Sequence, residues 1–222
     1  MKFDLENIIL VDKPKGITSF QIIRIMRNKL GIKKIGHAGT LDPLATGLMI
    51  LGIEKGTKKL EQFLKLDKTY VATILIGKKT STGDLYRNSE IIEEKNLTEK
   101  DFDFIKKNID NVLNDLVGKI NLNVPIFSAI KVNGKRLYDH AFKGRKIETP
   151  VREMNIYYMK LLNQYSEDCN YILELKIKVS SGTYIRSIAE EIGNRLNFPS
   201  TVKELRRISI DEILVEDALK IE

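Results

Sequence analysis

The sequence predicts an α+β fold with a mixed, mainly antiparallel central sheet flanked by helices and loops. Three observations carry this. Two long strand candidates stand side by side late in the chain, around 154–162 and 171–179. A clear helical period is confined to a few segments, above all 98–116. Strands and helices do not alternate in the steady βαβ order of a parallel sheet.

Taken in order, Ile8 to Val11 is a short apolar strand closed by Pro14 and Gly16. Thr18 and Gln21 have capping-box spacing, Ile22, Ile23, Ile25, Met26 and Leu30 continue as a helix, and Gly31 stops it. The stretch "IGHAGTLDPLATG" reads as a loop, and Leu48 to Ile53 as a buried strand. Lys55 to Lys65 is helical, carrying Leu60, Phe63 and Leu64. Thr69 to Ile76 is a strand rich in β-branched residues, "GKKTSTGD" a loop, and Ile91–Ile92 a short strand. From Thr98 to Leu116, Phe102, Ile105, Ile109, Val112, Leu113 and Leu116 share one helix face. "NVPIFSAIKVNGKRLYDHAFKGRKI" mixes turn residues with basic ones. After the two long strands comes a helix from about Thr183 to Leu196, then a strand from Val202 to Ile210 and a short helix from Val215. No repeat, low-complexity tract or linker divides the chain, so a single domain over 1–222 is expected.

Composition narrows the function classes. Lys and Arg number 37 against 30 Asp and Glu, a net charge of +7 that suits a polyanionic partner without proving one. Cys169 is the only cysteine and His37 and His140 the only histidines. An internal disulfide, a cysteine-based metal site and a histidine-rich metal centre are thereby excluded, and a reducing compartment is expected. The first residues carry acidic groups rather than a signal peptide, and no apolar run approaches the ~20 residues of a membrane span. A cytoplasmic protein is the expectation.

Several residues have both an ordinary and a functional reading. Asp42 before Pro43 is a turn former, yet it sits among Gly36, Gly39 and Gly47, which allow a ligand to approach the backbone closely. Arg186 falls in the first turn of its helix, where a cation opposes the helix dipole. It is either a solvated surface group or the partner of a carboxylate that it keeps ionised and aimed. Tyr70, close after Lys65 and Lys68, is either a half-buried strand tyrosine or a flat platform for a base. Tyr184 has the same two readings. His37 is a loop hydrogen-bonder or a ligand-facing group. The basic run Lys131 to Lys146, with Tyr138 and its glycines, is a solvated face or an RNA-contacting loop.

"GHAGTLDPLATGLMILGIEKGTKKL", "DKTYVATILIG", "VPIFSAIKVNGKRLY" and "SSGTYIRSIAEEIG" together resemble the TruB family of tRNA pseudouridine synthases. "VDKPKGITS" near the start and "ELRRISI" near the end match in order and spacing, so the resemblance covers nearly all of the chain. It implies a cofactor-free isomerisation: the bond from C1′ to N1 of a uridine is broken, the base turns, and C1′ is rejoined to C5. In the bacterial members the target is uridine 55 in the tRNA T-loop. By the same resemblance Asp42 is the catalytic aspartate, Arg186 its paired arginine, and Tyr70 the tyrosine stacking on the target base and helping to remove the C5 proton. His37 lies against the flipped-out nucleotide, and Tyr184 and Leu205 are further pocket residues. Whether Asp42 attacks C1′, attacks the base or removes a sugar proton stays open. Lys13, Lys131, Lys135 and Arg136 are expected RNA contacts, and the segment from Val124 is expected to close on the T-loop.

The chain departs from the family pattern in two places. It ends at Glu222 without the PUA-type domain carried by many bacterial members, and the loop "KKTSTGDLYRNSE" lacks a later glycine. The expected protein is therefore a short tRNA-modifying enzyme, monomeric, with no metal, membrane or guide RNA. The rival is a non-catalytic tRNA-binding or tRNA-folding protein on the same scaffold, for which an intact set of Asp42, Tyr70 and Arg186 would serve no purpose.

Overall fold

The computed structural model describes residues 4–87, 89–144 and 147–221. Its central sheet uses β1 (Ile8–Lys13), β2 (Ile35–Ala38), β3 (Thr46–Ile53), β4 (Lys68–Ile76), β7 (Gly118–Asn123), β10 (Val151–Glu167), β11 (Asn170–Val179), β12 (Ser200–Ile210), β13 (Ile213–Leu214) and β14 (Leu219–Lys220). Along the sheet the order is β14-β1-β3-β12-β4-β11-β10-β7, with β2 added on β3 and β13 on β12. Among the described strands of this sheet only the pairings β1–β14 and β3–β12 are parallel, so the mainly antiparallel sheet expected from the sequence is present.

Three helices cover one face: α1 (Ser19–Leu30), α3 (Glu99–Asp115) and α5 (Ile185–Leu196). Thr18 and Gln21 form a reciprocal capping box at the start of α1, and Gly31 ends it in the left-handed conformation. Ile22, Ile23 and Met26 of α1, Ile105, Ile109 and Leu113 of α3, and Ile185, Ile188, Ile192 and Leu196 of α5 join one core with the sheet. A smaller core lies where α2 (Leu60–Leu64) packs Leu60 and Phe63 against Leu48, Ile50 and Ile210.

Several expected loops contain strands. "IGHAGTLDPLATG" begins with β2, which pairs with β3 from Ile35↔Ile53 to Ala38↔Ile50. In "GKKTSTGD" the first residues form β5 (Lys78–Thr80), paired with β6 (Ile91–Glu94). The basic segment folds as the hairpin β8 (Lys131–Val132) and β9 (Lys135–Arg136), followed by α4 (Leu137–Ala141); Arg145 and Lys146 lie outside the described residues. The expected helix from Lys55 begins as a 3-10 turn, Glu54–Lys59, before α2. Each of these pieces is too short for periodicity to reveal, and in the strands cross-strand pairing supplies what local propensity lacks.

The parallel contact of β3 with β12 joins the first and last thirds of the chain and depends on one glycine. Gly47 stands opposite Arg207. It has φ of +106°, and a Cβ there would lie 2.2 Å from the Arg207 carbonyl oxygen. Gly47→Ala therefore combines backbone strain with a main-chain collision. It is expected to lower stability by at least ~3 kcal/mol, read as a fall in the urea midpoint without a change in slope.

Candidate active site

Asp42 sits in a tight turn closed by Ala45 N–H donating to its carbonyl at 3.0 Å. The turn is held from two directions. From the N-terminal side, the Ser19 hydroxyl donates to Leu41 O and accepts from Leu41 N–H, both at 2.9 Å. Gly16 N–H donates to Pro43 O at 2.8 Å, and the Lys13 ammonium donates to Pro14 O, Ile17 O and, at 3.5 Å, Pro43 O. From the C-terminal side, Arg207 donates to Leu48 O at 2.7 Å and Gly39 O at 3.1 Å, bracketing the turn.

This corrects the expectation for Lys13. It is completely buried and its ammonium is committed to carbonyls, so it braces the turn rather than meeting RNA phosphates. Burial, opposed by the Asp42 charge and reinforced by Arg207, brings its pKa down to about 8. Arg207 drew no attention in the sequence although it is 1% exposed, because β12 carries bulges that break simple alternation.

Across from the turn, Arg186 Nη2 lies 3.0 Å from Asp42 Oδ2. The carboxylate is 37% exposed and the arginine side chain 6%, so the pair presents its acid to the opening and keeps its base inside. Arg186 also donates to Thr82 O at 2.8 Å and to Phe127 O at 3.0 Å. A cation in the first turn of α5 costs up to ~1 kcal/mol against the helix dipole. Four buried aliphatic side chains on the same helix, each worth roughly 1.5–3 kcal/mol, outweigh it. A second carboxylate, Asp84, is buried behind the arginine and accepts from the Thr82 hydroxyl at 2.8 Å. Burial pushes its pKa up, while Thr82 and then Arg186 pull it down.

Asp42 and Arg186 open into a cleft of about 470 Å³. Tyr70 and Lys68 of β4, Leu205 and Arg207 of β12, Tyr184 before α5, and Phe127, Ser128 and Tyr138 of the segment containing the hairpin also line it. The sequence-derived residues Asp42, Arg186, Tyr70, Tyr184 and Leu205 thus converge. His37 does not line the cleft: it stands half-buried on β2 opposite Leu51. Its Nδ1 is buried with no partner among the described residues, and burial, then the Arg207 charge, lowers its pKa and favours the neutral ring. Lys131, Lys135 and Arg136 are exposed on the hairpin, where the Arg136 guanidinium lies 5.6 Å from the centre of the Tyr138 ring. Among the described residues no three His, Cys, Asp or Glu side chains gather as a metal site would require, and no helix is long and apolar enough to cross a membrane.

A nucleotide-sized cleft at an Asp–Arg pair held between a turn and a helix, walled by tyrosines and buried cations, is the arrangement of an RNA-modifying isomerase. Residues 27–185 match the N-terminal domain of the TruB family pseudouridylate synthases, and the chain belongs to that family. It is 39% identical to tRNA pseudouridine synthase B of Aquifex aeolicus over 98% of this chain and 73% of that protein. Against the same-named protein of Endomicrobium trichonymphae it is 38% identical over 98% of this chain and 90% of that one. Among solved structures, a Cbf5-Nop10-Gar1 complex aligns with a TM-score of 0.69 and 26% identity over 96% of this chain. An H/ACA RNP bound to a substrate RNA containing 2′-deoxyuridine aligns with a TM-score of 0.66 and 23% identity, also over 96% of this chain. This chain spans about half the length of those two, 52% and 50%.

Proposed function

We propose that this protein converts the uridine at position 55 in the T-loop of tRNA to pseudouridine. The name that its relatives share supports the reaction and the tRNA substrate. The observation that carries the catalytic reading is the ion pair of Asp42 with a buried arginine, which holds one carboxylate at the mouth of the cleft. A carboxylate that stays ionised is a competent nucleophile or base at a sugar carbon.

A uridine in a folded loop must leave its stack, at a cost of a few kcal/mol. Stacking on Tyr70 offsets about 1–3 kcal/mol of that, and Tyr184 and Leu205 complete the walls. His37 meets the nucleotide from beside the cleft, and Lys131, Lys135 and Arg136 contact phosphates from the hairpin. The synthase works as a cytoplasmic monomer on the T-arm, with no cofactor and no guide RNA. The test is to incubate the pure protein with unmodified tRNA transcript, adding no other RNA, and to map pseudouridine. Modification at position 55 is expected. Modification elsewhere would overturn the position, and none at all would favour the tRNA-binding reading.

A further inference from the structure

Lys68 is a charged group for which the reaction as described has no use. It is 6% exposed, yet it lines the cleft two residues before Tyr70 on β4. Side chains two apart on a strand point to the same face, so its ammonium and the Tyr70 ring serve the same space. The ammonium donates to Leu64 O at 2.7 Å and to Leu66 O. An ammonium has three donors, so two carbonyls leave one N–H. Among the described residues no carboxylate forms an ion pair with it. The buried Arg207 of β12 adds a second positive charge that opposes its own, and Asp67 in the preceding turn attracts it more weakly than that. Ser128 Oγ, which also lines the cleft, is buried without a partner among the described residues. An unpaired buried cation is costly unless an anion arrives to meet it.

The isomerisation supplies such an anion. When C1′–N1 breaks, the bonding pair leaves with the base, giving a uracil anion with its charge spread over N1, O2 and O4. The deficiency at C1′ is met through Asp42, either by a bond from its oxygen or by removal of the C2′ proton to form a double bond. When C5 later attacks C1′, the Asp42 oxygen leaves C1′ or, on the other route, Asp42 returns the proton to C2′; the negative charge thus goes back to the carboxylate, and the proton lost from C5 balances the one gained at N1. We propose that Lys68 is an electrostatic catalytic residue that stabilises the departing uracil anion, its free N–H directed to a carbonyl oxygen of the base. Burial in first place and Arg207 in second bring its pKa down to about 8. The donor acts where charge develops during reaction and is weakly used before it, as transition-state stabilisation demands.

This inference rests on the synthase reading, and the wild-type assay separates the two: if the wild type forms no pseudouridine, that reading fails first. Given an active wild type, Lys68→Gln keeps a donor for the Leu64 and Leu66 carbonyls but removes the charge, and Lys68→Arg restores the charge. Single-turnover rates at saturating protein, tRNA Kd and thermal midpoints are measured for all three. The expected result is a hundredfold or greater fall in rate for Lys68→Gln, with Kd within threefold, and recovery to at least a tenth of the wild-type rate in Lys68→Arg. A rate within fivefold of wild type in Lys68→Gln would overturn the proposal. So would Lys68→Arg being as slow as the glutamine variant, which would make the residue a brace for the α2 end. A loss confined to Kd would assign the ammonium to a phosphate of the RNA instead and equally overturn it. Should Lys68→Gln not fold, Lys68→Met is compared with Lys68→Arg by the same criteria.

Discussion

Asp42→Asn is expected to abolish pseudouridine formation while leaving tRNA affinity within a few fold. The amide matches the carboxylate in size and still accepts from Arg186, now 3.0 Å away. The turn keeps its shape because its braces are backbone contacts to Leu41 and Pro43 and the Arg207 bonds to Leu48 and Gly39. What disappears is the negative charge, and with it both nucleophilicity and basicity. A fall of at least 10⁴ in the single-turnover rate, about 5.5 kcal/mol of barrier, is expected. Residual turnover within a hundredfold of wild type would remove Asp42 from the chemical step.

The second large effect belongs to Arg186→Lys. The guanidinium reaches three oxygens at once, Asp42 Oδ2, Thr82 O and Phe127 O. A lysine places a point charge on a flexible stem and cannot span that fork. Asp42 then loses its aim, and the segment around Phe127 loses its tie to α5. A 10²–10³-fold drop in single-turnover rate, roughly 3–4 kcal/mol, is expected, with a smaller change in tRNA Kd. An unchanged rate would make the arginine structural alone.

The sequence makes part of this site legible for physical reasons. Arg186 is conspicuous because a cation in a first turn opposes the dipole, and the buried carboxylate-bound guanidinium is the answer to that conflict. α1 and α3 are long enough for period and caps to coincide. β2 and β7 escape notice because they are short, and β7 also takes its partner from a strand some 30 residues further on. Lys13 misleads because a lysine among Pro14, Lys15 and Gly16 looks like a surface turn, whereas the chain folds three carbonyls around its ammonium. Arg207 and Arg206 show the effect of a bulge most directly. They are neighbours in sequence, but Arg206 is 41% exposed by side chain and pairs with Asp12, while Arg207 is 1% exposed and braces the turn. Counting every second residue from Val202 would place the wrong one inside.

The contact between β3 and β12 also sets the order in which the protein can become active. The acid at position 42 is synthesised early, but Arg207 reaches its turn from a strand made some 160 residues later, donating to Leu48 O across a sequence separation of 159. Arg186, which pairs with it, likewise comes from far down the chain. Contacts of such separation form slowly, because a long loop must close before they give any return. An incomplete chain emerging during synthesis therefore holds the turn by its N-terminal braces alone. Competence arrives with the docking of β12 between β3 and β4, so the site is among the last features of the fold to mature.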